Sequence, residues 1–355
     1  MSKRRSLAYA AGGLGAAAMA ALATGVVVER RVVSARRSGS AEADRLGAIH
    51  SDPVPVKCDD GVVLHAEIDE LAPYESGERR RQSDVTLVFV HGYALNLDCW
   101  HFQREAFRGK HRMVFYDQRS HGRSERSERE HANIEQLGDD LARVVTELVP
   151  EGDVVLVGHS MGGMSIIAFA ERHPELFARR VSGVGLISTT AGNLKPHRTL
   201  GRWIPDRVGQ VVAPRLIAAL AKAPELVDTA RRPGSNIGFL VADMFAFGSK
   251  DVPAAEVEFL DEMLAGTSFD VIAEFFPNFS ALDKFAQLPV FAEVPTTIIC
   301  GTKDKLTSID HSRKMADALP NALLVECEGA GHMVIFESRD EVNQALESLV
   351  ESASA

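Results

Sequence analysis

The chain has 355 residues, 45% of them hydrophobic and 25% charged, enough for one large α/β domain with an insertion or for two ordinary domains. Its formal net charge of −10, with no basic face outside the N-terminus, argues against a nucleic-acid partner. The four cysteines, Cys58, Cys99, Cys300 and Cys327, lack CxxC or metal-ligand spacing and read as buried free thiols; a Cys300–Cys327 disulfide would require an exported domain.

Leu7 to Val28 is an uncharged apolar run rich in Ala and Gly, preceded by Lys3-Arg4-Arg5 and followed by Arg30, Arg31, Arg36 and Arg37. Its length suits a membrane-spanning helix, which needs about 20 residues. Ala21-Leu22-Ala23 also reads as an export-signal cleavage site, and the Lys3-Arg4-Arg5 opening looks like a twin-arginine signal. The expectation is a membrane-anchored or exported protein of undetermined sidedness, associated with the membrane through residues 7–28, with residues 1–45 outside the fold. Gly13-Leu14-Gly15 imitates a dinucleotide fingerprint, but no strand precedes it and no βαβ unit surrounds it.

Val54 to Cys58 and Val62 to Ile68 read as strands joined by Asp59-Asp60-Gly61, a turn sequence tolerant of positive φ. Glu75 to Asp84 is a charged loop. Val85 to Val90 is continuously apolar, as for a strand buried on both faces, and ends in His91-Gly92-Tyr93. A helix follows from Leu97 to Phe107, then a strand from Arg112 to Tyr116 that ends in Asp117-Gln118-Arg119-Ser120-His121-Gly122-Arg123-Ser124. Ile134 to Leu148 is a helix with Leu137, Leu141, Val144, Val145 and Leu148 at helical spacing.

The pattern then reaches Val154-Val155-Leu156-Val157-Gly158-His159-Ser160-Met161-Gly162-Gly163, a strand, a tight turn and the start of a helix with a serine at the apex. Val181 to Ser188 is a further strand. From Thr190 to about Val290 the alternation gives way to a helical, Phe- and Met-rich stretch, and it resumes with strands at Pro295–Cys300 and Ala322–Glu326 and helices at Ser312–Leu319 and Arg339–Val350. Strands and helices alternating in this way make a mainly parallel sheet covered on both faces. The expected organisation is a core of residues 46–189 and 291–355, with residues 190–290 as a helical cap over the carboxyl ends of the strands.

A serine hydroxyl needs a base to act as a nucleophile, and the base needs a carboxylate. For Ser160 the base is read as His332, in a Gly-rich loop directly after the last strand; His91, His121 and His159 are read as structural. Asp304, just after the strand that follows the cap, is the carboxylate, with Asp310 a weaker rival in the next helix. The oxyanion formed on attack requires N–H donors. The backbone N–H groups of Met161 and Tyr93 are the candidates.

These residues together resemble the α/β-hydrolase fold enzymes: His91-Gly92, the Asp117-to-Ser124 stretch (similar to D-x-R-G-H-G-x-S), Gly158-His159-Ser160-Met161-Gly162-Gly163, Asp304 and His332, in the family's order. Ser120 departs from the family's usual glycine. The resemblance implies a mainly parallel eight-stranded sheet with helices on both faces and an inserted helical cap. It further implies an esterase- or lipase-like serine hydrolase without a cofactor or metal, acting on a small-molecule or lipid ester. The serine stands where the epoxide-hydrolase and dehalogenase branches have an aspartate. A cofactor-free perhydrolase (non-haem haloperoxidase), a carbon–carbon bond hydrolase and a hydrolase-fold binding protein are the alternatives. Oligomeric state is left open.

Overall fold

The computed structural model describes residues 46–72, 85–195 and 246–355, with the single positions 222, 228 and 242. Eight strands form one sheet in the order β1-β2-β4-β3-β5-β6-β7-β8. They are β1 (Pro53–Lys57), β2 (Val63–Asp69), β3 (Val85–Val90), β4 (Arg112–Tyr116), β5 (Asp153–His159), β6 (Val181–Ile187), β7 (Thr296–Gly301) and β8 (Leu323–Cys327). β2 runs antiparallel to both its neighbours, β1 and β4, and the six strands from β4 to β8 are mutually parallel. The chain steps from β3 outward to β4 and then returns to place β5 on the other side of β3. Such a reversal, beyond the carboxyl ends of β3 and β5, is the usual place for a ligand in an open α/β sheet.

Nine helices are found among the described residues: α1 (His101–Phe107), α2 (Ile134–Leu148), α3 (Met161–Arg172), α4 (Pro174–Arg180), α5 (Ala254–Gly266), α6 (Phe269–Ala281), α7 (Ile309–Ala318), α8 (Val334–Glu337) and α9 (Arg339–Ala353). The expected Leu97–Phe107 helix is divided, because Asn96 accepts the Asp98 N–H at 3.0 Å and tightens Leu97–Trp100 into a 3-10 turn ahead of α1. α2 begins where Asn133 accepts the Gln136 N–H at 2.8 Å, and it buries its apolar stripe, Leu137, Leu141, Val144, Val145 and Leu148. Each such side chain removed from water contributes about 1.5–3 kcal/mol.

One apolar layer lies on each face of the sheet: Phe89, Phe115, Trp100, Ile335 and Phe336 belong to one, and Val88, Val90, Leu141, Ile166 and Phe169 to the other. Arg119, fully buried, ties the hairpin turn to α2: its Nε and Nη2 donate to Asp140 at 2.6 Å, and its Nη1 donates to Asp60 at 2.7 Å. Between β6 and β7 the described chain is helical, comprising α5, α6 and a 3-10 stretch, Phe285–Glu293. From this segment Val271, Phe275, Phe279 and Leu282 form a third apolar cluster with Met161, Met164, Ile134 and Leu137 of the core.

One expectation is corrected. The membrane-anchored or exported location is withdrawn: among the described residues no helix is long and apolar enough to cross a membrane. The longest, α2 and α9, have 15 residues each, short of the about 20 that a span requires. Residues 7–28 and the loop from Glu75 to Asp84 lie outside the described residues, as do Trp203, Phe239, Met244 and Phe245 of the aromatic-rich stretch. All four cysteines are free thiols; Cys300 lies opposite Glu326 and Cys327 opposite Gly301, so the two are out of register on β7 and β8.

Candidate active site

Strand β5 ends at His159 and α3 begins at Met161, which leaves Ser160 as the only residue between them. Its backbone lies at φ 53° and ψ −116°, which a non-glycine residue adopts only when its surroundings impose it. Here the Ser160 N–H donates to the Ile187 carbonyl at 2.9 Å, while the Ser160 carbonyl accepts from Thr189 Oγ1 at 2.6 Å and from the Gly163 N–H at 3.0 Å. A Cβ on Gly158 would lie 2.6 Å from the Gly162 carbonyl carbon, so the approach of strand to helix demands glycine there.

The loop after β8 brings His332 Nε2 to 3.0 Å from Ser160 Oγ. On the other side of the ring, His332 Nδ1 lies 2.9 Å from Asp304 Oδ2. With the proton on Nδ1, the Nε2 lone pair faces the serine hydroxyl. Asp304 is placed by its own turn: its Oδ1 accepts the N–H groups of Leu306 at 2.8 Å and Thr307 at 2.9 Å, and Thr307 Oγ1 lies 2.9 Å from Oδ2. Burial alone would raise this carboxyl, but His332 and those two amides outweigh it and hold it below the usual carboxylate range. A carboxylate ionised in this position favours the imidazolium that proton transfer from Ser160 would create.

The three histidines read as structural each hold a backbone carbonyl. His159 Nε2 donates to the His332 carbonyl at 3.0 Å, fixing the backbone of that residue. His91 Nδ1 donates to the Gly92 carbonyl at 2.7 Å, and its Nε2 accepts the Gln118 N–H at 2.9 Å. A peptide unit is planar and trans, so holding the Gly92 carbonyl also sets the direction of the Tyr93 N–H, which points the opposite way. His121 Nδ1 donates to the Arg119 carbonyl at 2.9 Å. Asp310 is not brought to the site: its side chain is 84% exposed and lies 3.7 Å from Arg313.

Both oxyanion candidates sit at this edge of the sheet. Met161 contributes the first amide of α3, where helix N–H groups have no intrahelical acceptor and the helix dipole is positive. Tyr93 follows Gly92; its hydroxyl donates to the Ile272 carbonyl of α6 and its ring meets Phe279 edge-on, with centroids 4.8 Å apart. Among the described residues no three His, Cys, Asp or Glu side chains converge as a metal-binding group.

Thr189, Thr307 and Glu337 were not among the expected site residues. The Glu337 carboxylate accepts the Gly331 N–H at 2.6 Å and the N–H groups of Gly248 and Ser249 at 3.0 Å and 2.9 Å, anchoring the base loop to the chain that precedes α5. Of the three, Thr307 had a legible signal, since an aspartate that accepts amides two and three residues onward makes an Asx-type turn. Ser120, the departure from the family pattern, has φ 64° and accepts the Ser127 N–H at 3.0 Å through its hydroxyl, a side-chain contact that glycine would lack.

The buried imidazoles predict an acid response. Burial, with His121 adding to it, pushes His91 down to about 3; burial pushes His121 down to about 4; burial and then His332 push His159 down to about 3. In the unfolded chain the same rings take up protons near pH 6.5. The unfolded state therefore binds more protons from about pH 6.5 down to about pH 4, and stability falls as pH falls through that window. With all three rings contributing, the slope approaches about 4 kcal/mol per pH unit. The urea midpoint should drop steadily between about pH 7 and pH 5; a flat midpoint would mean that the rings are not held neutral.

The profile of the alpha/beta hydrolase family matches residues 87–345. The chain is 25% identical over 274 residues to epoxide hydrolase 1 of Caenorhabditis elegans, a match covering 74% of this chain and 64% of that protein, so it spans less than two thirds of that relative. It is 28% identical over 262 residues to the non-heme chloroperoxidase CPO-A1 of Kitasatospora aureofaciens, covering 72% of this chain and 87% of the relative. Among solved structures, a thermophilic esterase from Thermogutta terrifontis superposes with a TM-score of 0.66 at 21% identity, over 86% of this chain and 100% of the esterase. At that identity the likeness is one of fold.

Proposed function

The chain belongs to the alpha/beta hydrolase family, and from that premise we propose that it is a serine hydrolase cleaving carboxylic esters with hydrophobic acyl groups. The observation that carries this reading is the hydrogen-bonded line Asp304–His332–Ser160, with steps of 2.9 Å and 3.0 Å, ending on a serine held at the apex of a strained turn. In the proposed reaction His332 Nε2 takes the Ser160 proton as Oγ attacks the ester carbonyl. The Tyr93 and Met161 N–H groups receive the developing oxyanion. His332 returns the proton to the leaving alcohol, and the resulting acyl-enzyme is hydrolysed by a water that His332 deprotonates in turn. The matched epoxide hydrolase does not direct the choice of reaction, because the nucleophile position here is a serine.

Residues 190–290 act in this proposal as the cap. The apolar cluster that Phe275, Phe279 and Leu282 make with Met161, next in sequence to the nucleophile, supports an acyl group of hydrophobic character. The test is a p-nitrophenyl ester series from C2 to C16 together with a fluorophosphonate probe. Ester turnover should rise from C2 toward medium chains, and the probe should attach once per chain, at Ser160. Absence of both turnover and labelling would overturn the proposal. The chloroperoxidase likeness favours one second reading, in which hydrogen peroxide replaces water on the same acyl-enzyme; peracid formation exceeding ester hydrolysis would select it.

A further inference from the structure

The two proposed oxyanion donors come from different elements. Tyr93 lies in the loop after β3, and Met161 opens α3. Both must meet one oxygen at hydrogen-bonding distance, and a site of this kind tolerates displacements of only about 0.5 Å. What holds the loop and the helix in register therefore matters for the chemistry.

Gln118, at the end of β4, is fully buried and reaches both. Its Nε2 donates to the His91 carbonyl at 2.7 Å, and its Oε1 accepts from Ser165 Oγ at 2.8 Å. Ser165 stands one turn into α3, and its Oγ also lies 3.0 Å from the Met161 carbonyl. The orientation of the amide is determined by these partners, because a backbone carbonyl only accepts: the atom facing His91 must be the NH2 group. The Gln118 N–H holds the His91 ring as well, at 2.9 Å, and that ring holds the Gly92–Tyr93 peptide. One residue thus grips the loop by its carbonyl and its imidazole, and the helix by a hydroxyl in its first turns.

We propose that Gln118 is a positioning residue that keeps the Tyr93 and Met161 N–H groups aimed at a common oxygen. It touches neither substrate nor the reacting atoms. It carries no charge, so its removal should leave the pH dependence of turnover unaltered. The inference rests on the serine-hydrolase reading above.

Gln118→Met keeps the volume and removes both side-chain hydrogen bonds, while Ser165→Ala removes only the bond to the helix. Loss of a whole oxyanion donor lowers turnover about 100- to 1000-fold, and misaiming two donors should cost part of that. The expected result for Gln118→Met is a kcat lower by about 10- to 100-fold with KM within about twofold, and for Ser165→Ala a smaller loss of about 3- to 10-fold. Affinity for an alkylboronic acid, whose tetrahedral adduct places an oxygen in the same position, should fall by the same factor as kcat/KM. A purely structural role would lower the melting temperature and leave kcat and boronate affinity per folded molecule unchanged, and that outcome overturns the proposal. Should Gln118→Met fail to fold, Ser165→Ala alone decides. Ser160→Ala is run alongside: if it too retains turnover, the serine-hydrolase reading has failed, whereas its inactivity beside a fully active Gln118→Met rejects only the role given to Gln118.

Discussion

Ser160→Ala should lower kcat for ester hydrolysis by roughly 10,000- to 1,000,000-fold, and Ser160→Gly should do the same while giving a more stable protein than the alanine variant. Both remove the hydroxyl and its 3.0 Å hydrogen bond to His332, so both lose the nucleophile and the same contact. They differ in the backbone. Residue 160 is held at φ 53°, where a side chain is disfavoured and glycine is not. Against the greater freedom of glycine in the unfolded chain, relief of that conformation should leave Ser160→Gly about 1 kcal/mol more stable than Ser160→Ala. The paired urea midpoints measure it. An alanine variant as stable as the glycine one would remove the claim that the turn is strained, and residual turnover near wild type would remove Ser160 from the mechanism.

Gly162→Ala has the largest expected effect on stability. A Cβ at that position would lie 2.0 Å from the Val90 carbonyl oxygen, 2.6 Å from its carbon and 2.8 Å from the His91 carbonyl oxygen. All three are backbone atoms at the end of β3, so no side-chain rotation relieves the clash; α3 must move off the sheet. That movement should cost about 3 kcal/mol or more, and it displaces Met161, whose N–H is a proposed oxyanion donor. Gly266→Ala is the control. It lies at the end of α5, where a Cβ would meet nothing within 4 Å among the described residues beyond its own helix and chain neighbours, and helix propensity should make it neutral or stabilising by up to about 1 kcal/mol. If Gly162→Ala unfolds at the same urea concentration as the wild type, the close approach of α3 to β3 is not what requires glycine.

That Ser160, His332 and Asp304 meet was legible because each follows a strand that can be read from composition. Val85–Val90 and Arg112–Tyr116 are strands with the expected bounds, and Ile134–Leu148 is a helix with the expected bounds. A buried parallel strand must be apolar on both faces, and whatever polar residue comes next stands at the sheet's edge. Asp304 was read from its place just after the strand that follows the aromatic-rich stretch, and His332 from the glycines of the loop after the last strand. Their supports were not legible, because the relevant partners are far apart in sequence. Gln118 and Ser165 are 47 residues apart and Thr307 and Ser188 are 119 apart, and no periodicity records such a pairing. The short α4 had local signals in Pro174 at its first turn and Arg179-Arg180 at its last, yet seven residues with no long apolar stripe merge with the helix before them.

The chain leaves the sheet after β6 and, at Leu282–Lys284, passes close to where it left before entering β7. Gly192 bridges Asp283, the Asn193 N–H donates to the Leu282 carbonyl at 3.3 Å, and the Lys284 N–H donates to the Ala191 carbonyl at 2.7 Å. The two ends are therefore clasped to each other. Closing a loop of this kind costs entropy that grows only with the logarithm of its length. A change of length between Asn193 and Leu282 should therefore leave the spacing of β6 and β7 unaltered, provided the bonds from Gly248 and Ser249 to Glu337 are kept. Under the proposed function, selection for a new acyl group would act between the clasped ends, while Ser160, Asp304 and His332 all lie outside them in the sequence.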